Sequence, residues 1–238
     1  MSAEKIAKNI HLKDNKREAE LEFSSTLRYT HWIRFFMMIG LVVTGFYLAY
    51  VFIKPAISDE PVLFLHAQMR MWHLIFGFIL LSVTVIKTYS FFFGKSRADK
   101  LELVSIKDIF SPRIWIDQIK FYLFLGEHPK IRGVYNPLQF VTYFSIYVCI
   151  YLLIITGLVL YIHVYHDGLG GALYGILRPV EYLFGGLANV RAVHHILMWV
   201  ILIFVPVHIY MVIFNSIKSA EGSVDSIVSG IKFKKSDH

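Results

Sequence analysis

Four apolar stretches, residues 32–53, 72–93, 138–163 and 193–215, constrain this chain more than any other feature. Each has the roughly 20 residues needed to cross the hydrocarbon core of a bilayer as a helix. Arg34 and Lys87 are the only Lys, Arg, Asp or Glu residues inside them, and each lies near one end of its stretch. In lipid the backbone polar groups have to be satisfied within the segment, so the stretches are helices and not strands. Trp32, Trp72 and Tyr29 sit at stretch ends, where amphipathic aromatics anchor to the membrane interface. Composition agrees. Of 238 residues 56% are apolar and 17% charged, against the 25% or so expected of an ordinary soluble domain.

The expected fold is therefore an all-α integral membrane protein. It is a four-transmembrane-helix bundle with spans at about 30–53, 72–94, 138–163 and 193–215, flanked by tails at 1–29 and 216–238. The basic residues orient it. Residues 1–30 hold six Lys or Arg, the loop 94–137 holds eight and the end 216–238 holds four, while the other side has only Lys54, Arg70, Arg178 and Arg191. By the positive-inside rule the termini and the middle loop are cytoplasmic. The net charge of +7 thus reflects membrane topology and not a nucleic-acid footprint. The first 28 residues mix Lys with Glu and Asp, contain no apolar core of a signal peptide, and read as a solvated tail. Ser111 and Pro112 are a helix-start signal for an interfacial helix over 111–125, and the Gly-rich segment 167–189 reads as a re-entrant or interfacial helix on the outer face.

A single cysteine, Cys149, excludes an internal disulfide, a Cys-based zinc or iron–sulfur site and c-type haem attachment. Histidine carries the chemistry instead. Ionisable residues within a membrane are costly and point to function. Span directions put His73 and His194 near the outer surface, and His31 and His208 in the inner half. His194 and His208 are 14 residues apart, which is nearly four turns and about 21 Å of rise on one helix face. Two imidazoles on facing helices at one depth are what a bis-histidine haem requires, so the pairs His73/His194 and His31/His208 are candidate iron ligands for two haems b. His195 is about 100° around the helix from His194 and reads as a supporting residue. His163 and His166 read as interfacial.

Two further patterns agree with haem. Gly45 follows His31 by 14 residues, Gly77 follows His73 by one turn, and Gly157 lies in the outer half of the third span, so each can admit a porphyrin close to backbone. Arg28, Arg70 and Arg191 each precede a candidate ligand in an R-x-x-H pattern. Each therefore sits one turn nearer water, where a haem propionate would lie.

The motifs in order are R-x-x-H-W (Arg28 to Trp32), R-x-x-H with Gly77, N-P-L-Q (Asn136 to Gln139), Thr156-Gly157, H-H-x-x-M-W (His194 to Trp199) and H-I-Y (His208 to Tyr210). Together, from about residue 23 to 230, they resemble the b-type cytochrome subunit of membrane-bound Ni/Fe-hydrogenases, a family related to the cytochrome b subunit of respiratory formate dehydrogenase. The resemblance implies an electron-transfer anchor in the bacterial cytoplasmic (inner) membrane. Its partners would be periplasmic hydrogenase subunits, the small one carrying iron–sulfur centres and the large one Ni/Fe. Electrons would pass from the outer haem to the inner haem and then to menaquinone or another quinone near the cytoplasmic side. The chain itself has no hydrogen-activating site.

The family places its quinone beside the inner haem and the loop before the third span. Here that region offers His128, Tyr135, Asn136 and Gln139, with Tyr143 nearby. Amides can donate to quinone carbonyls, and a loop His can relay protons. Asn136-Pro137 is also a plain helix-start signal. Relatives commonly read G-H-N-P-L here, whereas this chain has Tyr135 where that histidine stands, so the proton role falls to His128 or Tyr135. The same haem core could instead serve a formate dehydrogenase-type complex or a free-standing carrier. A transporter using buried His as a proton relay is the rival from another class.

Overall fold

The structure is a computed structural model that describes residues 17–50, 64–123, 125–126, 131–133, 135–219 and 223–235. Its elements are β1 (Arg17–Leu21), α1 (Ser25–Tyr50), α2 (Leu65–Phe93), α3 (Arg97–Ile109), α4 (Pro112–Tyr122), α5 (Pro137–Ile162), α6 (Leu169–Leu183), α7 (Leu187–Ser219), α8 (Ser223–Ser229) and β2 (Ile231–Lys235). Four of them, α1, α2, α5 and α7, are long and apolar enough to cross a membrane. At most 28% of the most apolar 18-residue window of each is buried inside the protein. Phe36, Val43, Phe144 and Ile203 are each more than half exposed. Such apolar surface is stable only against lipid, so this is a multi-pass membrane protein.

Two of these helices begin earlier than hydropathy suggests. Helix α2 starts at Leu65 and not near 72, and α7 at Leu187 and not near 193. The added turns carry His66, Gln68, Arg70, Asn189 and Arg191, which fall outside an apolar window but do not interrupt a backbone ladder. Ser24 opens α1 by accepting the Leu27 N–H at 3.3 Å.

The chain divides into two compact units, and each long helix contributes residues to both. The bundle unit comprises 34–82 and 145–205. All four long helices meet in its core: Leu80, Ile150 and Ile201 are buried together, with Met37, Met38 and Leu41 of α1 and Cys149 of α5 packed on them. Gly40 lets α1 approach α2, because a Cβ there would sit 2.5 Å from the Phe76 ring. A second cluster, Val159, Ile162, Leu177 and Val190, joins α6 to α5 and α7. Residues 169–183 are thus a packed helix, entered through Gly168 at φ +58°.

The loop unit comprises 1–33, 83–144 and 206–238. Helix α4 begins at Pro112 as expected, and Ser111 has the extended backbone of a cap but makes no side-chain capping bond. Phe121 and Tyr122 of α4 pack against Phe214 of α7. The expectation of a plain solvated tail does not hold for residues 17–28. Strand β1 pairs antiparallel with β2, Arg17 opposite Lys235 and Leu21 opposite Ile231, and α1 is already helical from Ser25. Residues more than 200 apart in sequence close this ribbon, and no local pattern announces it. Gly230 (φ +85°) makes the turn into β2.

Candidate functional site

In the bundle unit the imidazoles of His73 (α2) and His194 (α7) face each other, with ring centroids 6.5 Å apart at 62°. In the loop unit His31 (α1) and His208 (α7) do the same at 6.4 Å and 47°. A metal-bound imidazole nitrogen lies about 2 Å from its ion and a little over 1 Å from its ring centre, so two imidazoles sharing one iron place their centroids just above 6 Å apart. Both separations fit that requirement. Among the described residues no three His, Cys, Asp or Glu side chains come together as a metal site, so the imidazoles meet in twos.

Each imidazole of the bundle pair is held by a threonine on a neighbouring helix. Thr44 Oγ1 lies 2.9 Å from His73 Nδ1, and Thr156 Oγ1 lies 2.8 Å from His194 Nδ1. Both hydroxyls already donate to the backbone one turn earlier, Thr44 to Gly40 O at 2.6 Å and Thr156 to Leu152 O at 2.7 Å. Their oxygens therefore accept from Nδ1–H. That fixes the tautomer and leaves the Nε2 lone pair for a metal.

The residue after each threonine is glycine. A Cβ on Gly45 would stand 3.2 Å from His73 Cε1, and one on Gly157 3.4 Å from His194 Cε1. Thr44-Gly45 and Thr156-Gly157 are thus one device used twice, on α1 and α5. The first half escaped notice in the sequence, where Gly45 stood out only for its spacing from His31. The available signal was the repeat itself, Val-Val-Thr-Gly at 42–45 and Ile-Ile-Thr-Gly at 154–157.

His73, His194, Gly45 and Gly157 line a cavity of about 730 Å³ walled by all four long helices. Its volume falls in the range of small-molecule and cofactor sites, about 300–1,000 Å³. Gly77 opens on it with no atom within 4 Å of a Cβ there. Arg70 and Arg191 lie on its wall, as do His163, His195 and His66. His66 has no role in the sequence-based expectation. It precedes His73 by seven residues, two helical turns on one face. His163 bonds Glu181 through Nε2 at 2.7 Å, and Arg178 Nη1 donates to the same carboxylate oxygen at 2.5 Å. These bonds, the His163 one foremost, hold the Glu181 carboxyl below the ordinary carboxylate range. His166 is exposed.

The loop unit differs from expectation in detail. Arg28 points its guanidinium at the C-terminal segment, with Nη1 donating to Val228 O at 2.5 Å and Nη2 to Ser25 Oγ at 3.2 Å. Asn136 and Gln139 form a reciprocal capping box at the start of α5. Gln139 N–H donates to Asn136 Oδ1 at 2.8 Å, and Asn136 N–H donates to Gln139 Oε1 at 3.3 Å. The helix-start reading of Asn136-Pro137 is thus met, while Asn136 Nδ2 is buried with no hydrogen-bond partner among the described residues. Tyr143 stands edge-on to His208 with centroids 5.6 Å apart, and Tyr135 edge-on to Tyr143 at 5.2 Å. His128 lies outside the described residues.

Residues 22–230 match the prokaryotic cytochrome b561 family. The chain belongs to that family. Membership implies a b-type haem, and the cavity with its threonine-braced imidazoles fits one. Relatives of this cytochrome b561 are named probable Ni/Fe-hydrogenase B-type cytochrome subunits. That of Rhizobium leguminosarum bv. viciae is 27% identical over 224 residues, covering 92% of this chain and 91% of the relative. That of Azotobacter vinelandii is 28% identical over 229 residues, 94% and 93%. The hydrogenase 1 subunit of Escherichia coli K12 is 27% identical over 222 residues, 90% of each. The resemblance carried by the histidine motifs is therefore met at the level of family.

Proposed function

We propose that this cytochrome b561 is the membrane electron-transfer subunit of a Ni/Fe-hydrogenase and holds two haems b, one between His73 and His194 and one between His31 and His208. The observation that carries this is the pair of imidazole separations, 6.5 and 6.4 Å, each suited to one iron. Bound haem would supply one-electron transfer. The chain's own residues do the rest. Thr44 and Thr156 orient two imidazoles, Gly45, Gly77 and Gly157 leave room for a flat ring, and Arg70 and Arg191 stand where propionates would need cations. The names of the relatives support the partner: hydrogenase small and large subunits on the periplasmic side of a bacterial inner membrane, with the termini of this chain in the cytoplasm.

Electrons from hydrogen would leave at the His31/His208 end to menaquinone or another quinone. Tyr135 next to Tyr143, the buried Asn136 amide and the Gln139 side chain support a quinone site there. Protons taken up on the cytoplasmic side and released outside would move charge across the membrane, worth about 2.3 kcal/mol per charge at 100 mV. Proteoliposomes that reduce quinone with hydrogen yet build no potential would refute that coupling.

The deciding experiment is a dithionite-reduced minus oxidised spectrum with a pyridine haemochrome count on the purified chain. Two haems b are expected per chain, one of them lost in His73→Ala or His194→Ala, the other in His31→Ala or His208→Ala, and both kept in His195→Ala. A well-folded chain with no haem would overturn the proposal and favour a proton-relay transporter. Co-purification from native membranes identifies the partner.

A further inference from the structure

A charge pair is sealed inside the loop unit. Lys87 on α2 and Glu102 on α3 are 6% and 2% exposed, and Nζ meets Oε2 at 2.5 Å. Burying two charges costs several kcal/mol per ion, and well-packed apolar residues of similar volume are often as stable or more so. Stability alone therefore does not account for the pair, and Lys87 sits within an apolar stretch where an ionisable residue points to function. The second carboxylate oxygen is engaged too, because Tyr135 donates its hydroxyl to Glu102 Oε1 at 3.0 Å. Tyr135 touches Tyr143, and Tyr143 touches His208. A continuous run of contacts thus joins the His31/His208 pair to a buried ammonium. The other carboxylates of α3 are held elsewhere: Asp99 accepts from Ser96 Oγ at 2.6 Å, and Asp108 from the N–H groups of Arg132 and Gly133 at 2.8 and 3.3 Å.

We propose that Lys87 and Glu102 supply the protons for quinone reduction, acting through the Tyr135 hydroxyl. This rests on the reading of a quinone site beside the His31/His208 pair. Quinone becomes quinol by gaining two electrons, which bound haem would supply, and two protons. For each proton, the Tyr135 O–H turns from Glu102 and passes its hydrogen to a quinone oxygen. Lys87 gives a proton to the Glu102 carboxylate, and the resulting carboxyl refills the Tyr135 oxygen. Lys87 recovers its proton from water. After two such rounds the quinol carries both hydrogens and the three side chains are unchanged. Glu102 and Lys87 are positioning and proton-holding groups, since only Tyr135 would touch the quinone.

The test uses membranes holding the complete hydrogenase–cytochrome complex, with a short-chain naphthoquinone as acceptor. Haem b reduction by hydrogen without quinone is read separately from naphthoquinone reduction. In Glu102→Gln, which keeps the shape but cannot take the proton from Lys87, quinone reduction is expected to fall at least tenfold in kcat with KM unchanged. Haem content and haem reduction stay at wild-type levels. Tyr135→Phe lowers kcat at least as far, again with haem content and haem reduction kept, and Glu102→Asp restores part of the rate. The reduced-minus-oxidised infrared spectrum of the wild type carries a carboxyl signal that Glu102→Gln abolishes. Wild-type kcat in both Glu102→Gln and Tyr135→Phe overturns the proposal. So does loss of haem content in step with quinone reduction, which would make the pair a structural clamp. A wild-type complex that reduces its haems but never the naphthoquinone removes the quinone reading itself, and this proposal with it.

Discussion

Thr156 Oγ1 accepts the Nδ1–H of His194 at 2.8 Å while donating its own hydrogen to Leu152 O. The hydroxyl can therefore present only its lone pair, and the imidazole keeps the lone pair of its Nε2. Partners of this kind typically change metal affinity by about 10–100-fold when removed. Thr156→Val should weaken haem retention at the His73/His194 pair by about that factor, measured by haem titration of the apo-protein. Thr156→Ser should restore most of it. Loss at the other pair instead would break the assignment.

Gly45 faces His73 as Gly157 faces His194, but the room differs. A Cβ at Gly45 would be 3.2 Å from the imidazole, closer than ordinary packing, whereas 3.4 Å at Gly157 is ordinary contact. Gly157→Ala should keep both haems. Gly45→Leu should lose one, with helicity by circular dichroism unchanged. Two haems retained in Gly45→Leu would show that this glycine serves helix packing alone.

Removing one member of the Lys87–Glu102 pair strands the other inside the protein. Breaking a buried pair this way costs about 3–5 kcal/mol. Lys87→Met should lower the thermal melting point of the detergent-solubilised chain clearly, and Lys87→Met with Glu102→Leu should recover much of the loss. A double variant no better than the single one would mean that Lys87 acts through its packing and not through its charge.

Glu181 gives the acid dependence its sign. Its carboxyl is held below the ordinary Glu value of about 4.3, so the folded state favours the ionised form. That contribution is complete above the ordinary value and is lost as pH falls through the lower, folded-state value. Acidification from pH 6 to pH 3 should therefore depress the melting point more in the wild type than in Glu181→Gln. Equal slopes would show that the contacts with His163 and Arg178 add nothing in solution.

The candidate site was partly legible without coordinates because helix periodicity is a strong rule. Once residues 193–215 have to be a helix, His194 and His208 have to share a face. The R-x-x-H repeats were equally visible, but their roles were not. Arg70 and Arg191 line the cavity, whereas Arg28 turns to Val228 O, a carbonyl 200 residues away in sequence. Asn136 and Gln139 show the reverse case. Their spacing is a capping-box spacing, and the local backbone used it as one.

By itself the sequence determined that the chain crosses a membrane as four helices and that His194 and His208 share one helix face. Both follow from short-range physics: unsatisfied backbone is intolerable in lipid, and side chains recur every 3.6 residues. Only the tertiary structure decided which groups meet. The Thr44 hydroxyl on His73, the Glu102 carboxylate between Lys87 and Tyr135, and the strand pairing of Arg17–Leu21 with Ile231–Lys235 join residues from separate elements. Helix rotation and loop path bring them together, and neither is written in the spacing of any one segment.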